Sequence, residues 1–248
     1  MPRHQRVLSK TGYYHVIMRG INKNDLFLES VDKQYFLNIL RMKKQNLEYV
    51  IHAYCLMDNH IHLLIEEKNS TIGNIMKRIN ISYAMYFNKK YNRIGPVFQD
   101  RFKSESVEDD RYLLSLVRYI HQNPLKAGLV GSLQEYQWSS YREYINKNIE
   151  GLVIERERVL SLFDGNEKQA MKEFISFNKQ ETKERFMDMG SKDDVKKYGL
   201  EFWNSLKDTN ISDEEKIIIM QRETKLATRT LSSITGISRA KIMNALSV

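Results

Sequence analysis

Between Cys55 and Glu66 the chain reads Cys-Leu-Met-Asp-Asn-His-Ile-His-Leu-Leu-Ile-Glu. Asp58-Asn59 is turn-like, and residues 60–66 alternate as a β-strand does, with Ile61, Leu63 and Ile65 against His60, His62 and Leu64. Side chains two apart on a strand point to the same face. One face can therefore be buried in a core while both imidazoles converge on one divalent metal. A His-x-His pair alone is more often incidental than a ligand pair, so the weight falls on a second element. This is Arg118-Tyr-Ile-His-Gln-Asn-Pro124, a tyrosine followed by the amide side chains of Gln122 and Asn123.

The flanking segments supply partners for that strand. Tyr13–Met18 is a strand candidate closed by the turn-rich basic loop 19–24, and residues 31–46 have a helical apolar rhythm with Ser30 as the expected cap. Tyr49–Tyr54 is a second strand and 60–66 the third. Residues 70–87 place apolar side chains at 72, 75, 76, 79, 83, 86 and 87, a helical spacing. Residues 104–107 add a fourth strand, and 108–122 form the helix that carries Tyr119. The order β-α-β-β-α-β suits an α+β fold, a ferredoxin-like antiparallel sheet with helices on one face.

Tyr112 lies two helical turns before Tyr119, on nearly the same face. Four residues after Tyr119 comes Asn123, which can ligate a metal, whereas four after Tyr112 comes Leu116, which cannot. Tyr119 is the better nucleophile. Pro124 disfavours helical geometry at Asn123, so Gln122 stands as the alternative amide.

At 248 residues the chain has room for one or two cores. Cys55 is the only cysteine, which rules out an internal disulfide and a Cys-rich zinc site. No apolar run reaches bilayer length and the N-terminal residues are polar, so a cytoplasmic protein with no membrane partner is expected. Charge is segregated. Residues 1–130 hold 20 Lys/Arg against 12 Asp/Glu, residues 131–215 hold 13 against 18, and residues 216–248 hold 6 against 1. Two basic ends around an acidic middle point to a polyanion partner.

The chain divides into three regions: a catalytic domain over 1–145, an acidic helical connection over 146–215, and a basic module over 216–248. Tyr136–Tyr141 reads as a packing segment that closes the first domain. The last region has a helix-turn-helix pattern. Leu231 and Ile234 face a core, Gly236 permits a tight turn, and Ile237, Ile242 and Ala245 continue the apolar set. Ser238 can cap the second helix, leaving Arg239, Lys241 and Asn244 outward to meet DNA.

Together, His60-Ile-His62 and Tyr119 resemble the signature of the HUH single-tyrosine (insertion-sequence-200-like) transposases. Tyr119-Ile-His-Gln-Asn-Pro-Leu-Lys-Ala-Gly-Leu-Val130 is similar to the branch called REP-associated tyrosine transposases. The resemblance runs from about residue 10 to 145. It implies single-stranded or hairpin DNA as partner and Mg²⁺ or Mn²⁺ as cofactor, held by His60, His62 and an amide. Relatives often place Gln four residues after the nucleophile, where this chain has Asn123. The resemblance further implies strand cleavage by Tyr119 and transfer through a 5′-phosphotyrosine. Arg19, Lys23, Arg101 and Lys103 are the basic side chains of this domain expected to contact DNA. A monomer and a homodimer are both compatible with the sequence. Two other classes compete: a non-catalytic DNA-binding regulator of repeat elements, and a zinc hydrolase with Tyr119 beside the metal. The absence of a further acidic or His ligand at short spacing weighs against the latter.

Overall fold

The computed structural model describes residues 8–44, 48–146, 151–181, 186–187, 199–200, 202–206, 209, 211–224, 226 and 228–246. It divides into two compact units, residues 1–189 and 190–248.

The first unit is built on β1 (Tyr13–Arg19), β2 (Tyr49–Leu56), β3 (His60–Glu67) and β4 (Lys103–Val107), in the order β2-β3-β1-β4. All three pairings are antiparallel. With helices α1 (Ser30–Lys44) and α2 (Ile72–Lys90) as the crossovers, this is the expected ferredoxin-like arrangement. Phe27, Phe36 and Tyr83 interlock between α1 and α2, with Phe36 edge-on to Tyr83 at 5.3 Å. Ser30, expected as the cap of α1, is instead its first residue. The capping carboxylate is Asp32, whose Oδ2 accepts the Leu28 and Glu29 backbone N–H groups at 3.0 and 2.9 Å. Its other oxygen takes Lys90 Nζ at 2.7 Å and the Tyr86 hydroxyl at 2.9 Å. Burial alone would raise the Asp32 pKa, but these donors hold it below the ordinary value.

Helix α3 (Asp110–Lys126) follows β4 and lies across the sheet face that carries His15 and His62. Asp109 caps it, accepting the Tyr112 N–H at 2.8 Å. Pro124 does not break this helix, contrary to the sequence reading; the helix runs on to Lys126. The missing proline N–H costs one hydrogen bond in the last turn. That loss is outweighed by burial of an almost unbroken run from Leu113 to Pro124.

The edge of β2 is covered by the segment the sequence marks as closing the domain. Leu56 N–H donates to Trp138 O at 2.9 Å, Ser140 N–H to Tyr54 O at 3.0 Å, and the Tyr136 hydroxyl to Leu56 O at 2.8 Å. Such cover removes an exposed template for strand pairing. Beyond α4 (Tyr141–Ile145) and α5 (Glu157–Leu160), helix α6 (Glu167–Lys179) lays Phe174 on Tyr144, ring centroids 4.4 Å apart. The compact unit therefore extends past residue 145, the expected domain end. Val153, Ile154, Val159 and Phe174 all belong to its core.

The second unit gathers Trp203, Ile217, Met220, Leu226, Leu231, Ile242 and Ala245 into a small core of its own. Helices Thr228–Thr235 and Arg239–Ala245 are joined through Gly236 at φ +75°, a left-handed conformation that favours glycine. Ser238 accepts the Lys241 N–H at 3.4 Å at the start of the last helix. Among the described residues, no helix is long and apolar enough to cross a membrane.

Candidate functional site

The site is laid out by strand register. Opposite His62 on β1 stands Ile17, and opposite His60 stands Arg19. His15 is two residues from Ile17, hence on the same sheet face and diagonal to His62. Its Nε2 lies 3.1 Å from His62 Nδ1, and the two rings stack at 5.4 Å. Along β3 the rings of His60 and His62 are 5.1 Å apart, as the period of two requires. Three imidazoles thus lie close together, where the sequence reading has two.

Helix α3 brings Tyr119 onto this cluster. Its ring meets His62 edge to face at 5.6 Å and His15 at 6.0 Å. Tyr112 is elsewhere, its hydroxyl donating to Glu105 Oε2 at 2.8 Å, and burial beside that carboxylate pushes its pKa up. Of the two tyrosines, Tyr119 is the one that meets the histidine rings. Two residues without a motif join them. Phe186 lies against the Tyr119 ring at 4.8 Å and the Tyr112 ring at 5.2 Å, and Lys126 Nζ sits 5.1 Å over the Tyr119 ring.

Hydrogen bonds decide which ring nitrogens can bind a metal. His60 Nδ1 lies 2.7 Å from Asn59 Oδ1. An amide oxygen only accepts, so Nδ1 carries the proton and Nε2 the lone pair, the form that ligates. Asn59 is itself held, its carbonyl accepting Gly20 N–H at 2.9 Å. Position 20 is kept as glycine by a different neighbour: a Cβ there would lie 2.0 Å from Asn24 O. His15 is fully buried, and burial lowers its pKa to about 3, so it is a neutral ring.

The two candidate amides part ways. Asn123 is one turn beyond Tyr119, its Nδ2 donating to Tyr119 O at 2.9 Å, which leaves Oδ1 as the atom it could offer a metal. Gln122 turns to α6 instead, donating to Asn178 O at 2.8 Å and Gln180 O at 2.6 Å. The donor side of the alternative ligand is thus turned to the end of α6. Among the described residues, no cluster of three or more His, Cys, Asp or Glu side chains is placed to hold a metal. Two imidazoles would suit zinc as well, whereas an amide oxygen would suit Mg²⁺ or Mn²⁺.

The basic residues fall in two places. Arg19 pairs with His60 across the strands, and Lys103 pairs with Ile17, whose other neighbour is His62. Lys23 and Arg101 lie in adjoining loops; Gln99 N–H donates to Arg19 O, and Asn59 Nδ2 to Lys23 O. All four therefore cluster at the sheet end that holds His60, and Lys23, Arg101 and Lys103 are exposed. Arg239, Lys241 and Asn244 are exposed on the last helix of the second unit.

The family model described as Transposase IS200 like matches residues 9–123, the stretch that contains the sheet, the histidines and Tyr119. Residues 9–123 are thus similar to the IS200-like transposases. A curated relative, the Putative REP-associated tyrosine transposase of Haemophilus influenzae, is 24% identical over 161 residues, covering 60% of this chain and 90% of its own. A solved structure of the REP-associated tyrosine transposase bound to a REP hairpin is similar at a TM-score of 0.52 and 15% identity. The match covers 76% of this chain and 100% of that one. Over the matched part, this chain thus shares the fold of that protein.

Proposed function

We propose that this chain cleaves and rejoins single-stranded DNA next to a hairpin, as a REP-associated tyrosine transposase, with Tyr119 as the nucleophile. The observation that carries the reading is the meeting of Tyr119 with His62 on a sheet face whose end is rimmed by Arg19, Lys23, Arg101 and Lys103. The hairpin is suggested by the DNA bound to the solved relative. The basic rim would hold the phosphates of the strand, positioning it without reading its bases. Tyr119 Oη gives up its proton and attacks phosphorus in line. The bond from phosphorus to the 3′ oxygen breaks, and that oxygen leaves as a hydroxyl. A 5′-phosphotyrosine remains, and attack by another 3′ hydroxyl reverses the step and joins strands.

A phenol with an ordinary pKa near 10 is a weak nucleophile, so the site must assist it. Mg²⁺ or Mn²⁺, bound by His60, His62 and Asn123, would supply a Lewis acid at the scissile phosphate. Lys126 adds a fixed positive charge beside the Tyr119 ring.

One observation favours the second reading, a non-catalytic regulator that only binds repeat DNA. Tyr119 is 7% exposed, with Phe186 on its ring. The deciding experiment incubates the protein with a labelled hairpin bearing a single-stranded flank and Mn²⁺. Transposase chemistry yields a covalent DNA adduct that maps to Tyr119 by mass spectrometry. Tight hairpin binding with no adduct at any metal concentration would leave the regulator standing.

A further inference from the structure

His15 is a costly residue to have where it is. It sits in a strand whose neighbours Tyr14, Val16 and Ile17 are all fully buried, and it is fully buried itself. Its Nδ1 makes no hydrogen bond among the described residues. A leucine would fill the space without burying an unsatisfied polar atom. The whole hydrogen-bonding capacity of the ring is therefore spent on one partner, His62 Nδ1 at 3.1 Å.

Only one direction of that bond is compatible with a ligating His62. If His15 Nε2–H donated, His62 would carry its own proton on Nε2 and could not present a lone pair there. If His15 Nε2 accepts, His62 is protonated on Nδ1 and Nε2 is the ligating atom. His60 is set the same way by Asn59 Oδ1. The two histidines of β3 then have matching partners, one an amide oxygen on the adjoining turn and one an imidazole on the neighbouring strand.

We infer that His15 is the positioning residue of the metal site, accepting the Nδ1 proton of His62 and so fixing the ring orientation and tautomer with which His62 binds the cation. This rests on the proposed metal site of His60, His62 and Asn123. The partner is a neutral ring rather than a carboxylate, so it orients the ligand without adding negative charge. Its edge contact with Tyr119 at 6.0 Å places the same ring beside the nucleophile.

The test is Mn²⁺ binding to the full-length protein, followed by electron paramagnetic resonance of the free ion, for wild type, His15→Phe, His15→Gln and His60→Ala. Outer-shell partners of metal-bound histidines typically contribute about 10–100-fold in affinity. His15→Phe keeps the ring but loses the acceptor, and should weaken binding by roughly that factor. His15→Gln supplies an amide oxygen and should recover most of the loss. A folded His15→Phe protein that binds Mn²⁺ as wild type does would overturn the inference. Wild type that binds no better than His60→Ala would instead sink the metal reading itself. Should the His15 variants fail to fold, the wild type still decides. Long-range ¹H–¹⁵N spectra of the Mg²⁺-loaded protein should show His62 protonated on Nδ1, and protonation on Nε2 would refute the proposal.

Discussion

Tyr119 and His62 meet edge to face, ring centroids 5.6 Å apart and planes at 85°. The contact is between ring edge and ring face, so it survives loss of the phenolic oxygen. Tyr119→Phe should therefore abolish the covalent adduct while leaving hairpin affinity nearly unchanged and costing about 1 kcal/mol of stability or less. Adduct formation on a denaturing gel and a thermal melt check both parts. An adduct that moved to Tyr112 would show that Tyr119 is not the nucleophile.

The two amides at the end of α3 should separate cleanly. Gln122→Ala leaves the carbonyls of Asn178 and Gln180 without this donor, a loss of about 1–3 kcal/mol in stability with metal affinity unchanged. Asn123→Ala should do the reverse, weakening Mn²⁺ binding with a smaller effect on the melt. Equal metal affinity in the two variants would remove Asn123 from the ligand set.

Acid should destabilise the first unit through His121. That ring is fully buried, Nδ1 donating to Asn178 Oδ1 at 2.8 Å, with Ser140 Oγ 2.9 Å from Nε2. Burial lowers its pKa to about 4, against an unfolded value near 6.5. The unfolded chain therefore binds the extra proton between those limits. This contribution is complete above about pH 6.5, shrinks as pH falls, and levels off below about pH 4. The total loss is at most a few kcal/mol. Denaturant titrations across this window should show a slope that falls by up to one proton in His121→Gln. An unchanged slope would contradict the assignment.

Exposed Arg239 and Lys241 begin the last helix of the second unit. Its core joins Trp203 to Ile217, Met220 and Ile242, so truncation at residue 216 would open that core. The cleaner variant is Arg239→Ala with Lys241→Ala. If both side chains meet duplex phosphates, the slope of log affinity against log salt should flatten by about 2. An identical slope in wild type and variant would mean that this helix does not touch DNA.

Strands and crossover helices are legible in the sequence because a sheet with a buried face writes alternation into it, and α2 writes a 3.6-residue stripe. His15 carries no such signal: a lone histidine in an apolar strand gives no spacing to read, and its partner is fixed only by the β1–β3 register. Phe186 is hidden for the same reason, lying in a charged stretch without periodicity. Pro124 misleads because local preference speaks without the burial that overrides it. Residues 151–181 look like a connection, since Phe174 finds its partners Tyr144 and His121 only in three dimensions.

The pairing of Arg19 with His60 and Ile17 with His62 has a further consequence. Side chains alternate with a period of two, so a slip of one residue would turn both histidines onto the opposite, apolar face and put Ile61 and Leu63 toward Tyr119 in their place. Such a chain would be unstable and would also present no imidazole to Tyr119. A misfolded copy would thereby lack the proposed site, and the strand cleavage proposed for this chain would exist only when its sheet is correctly in step.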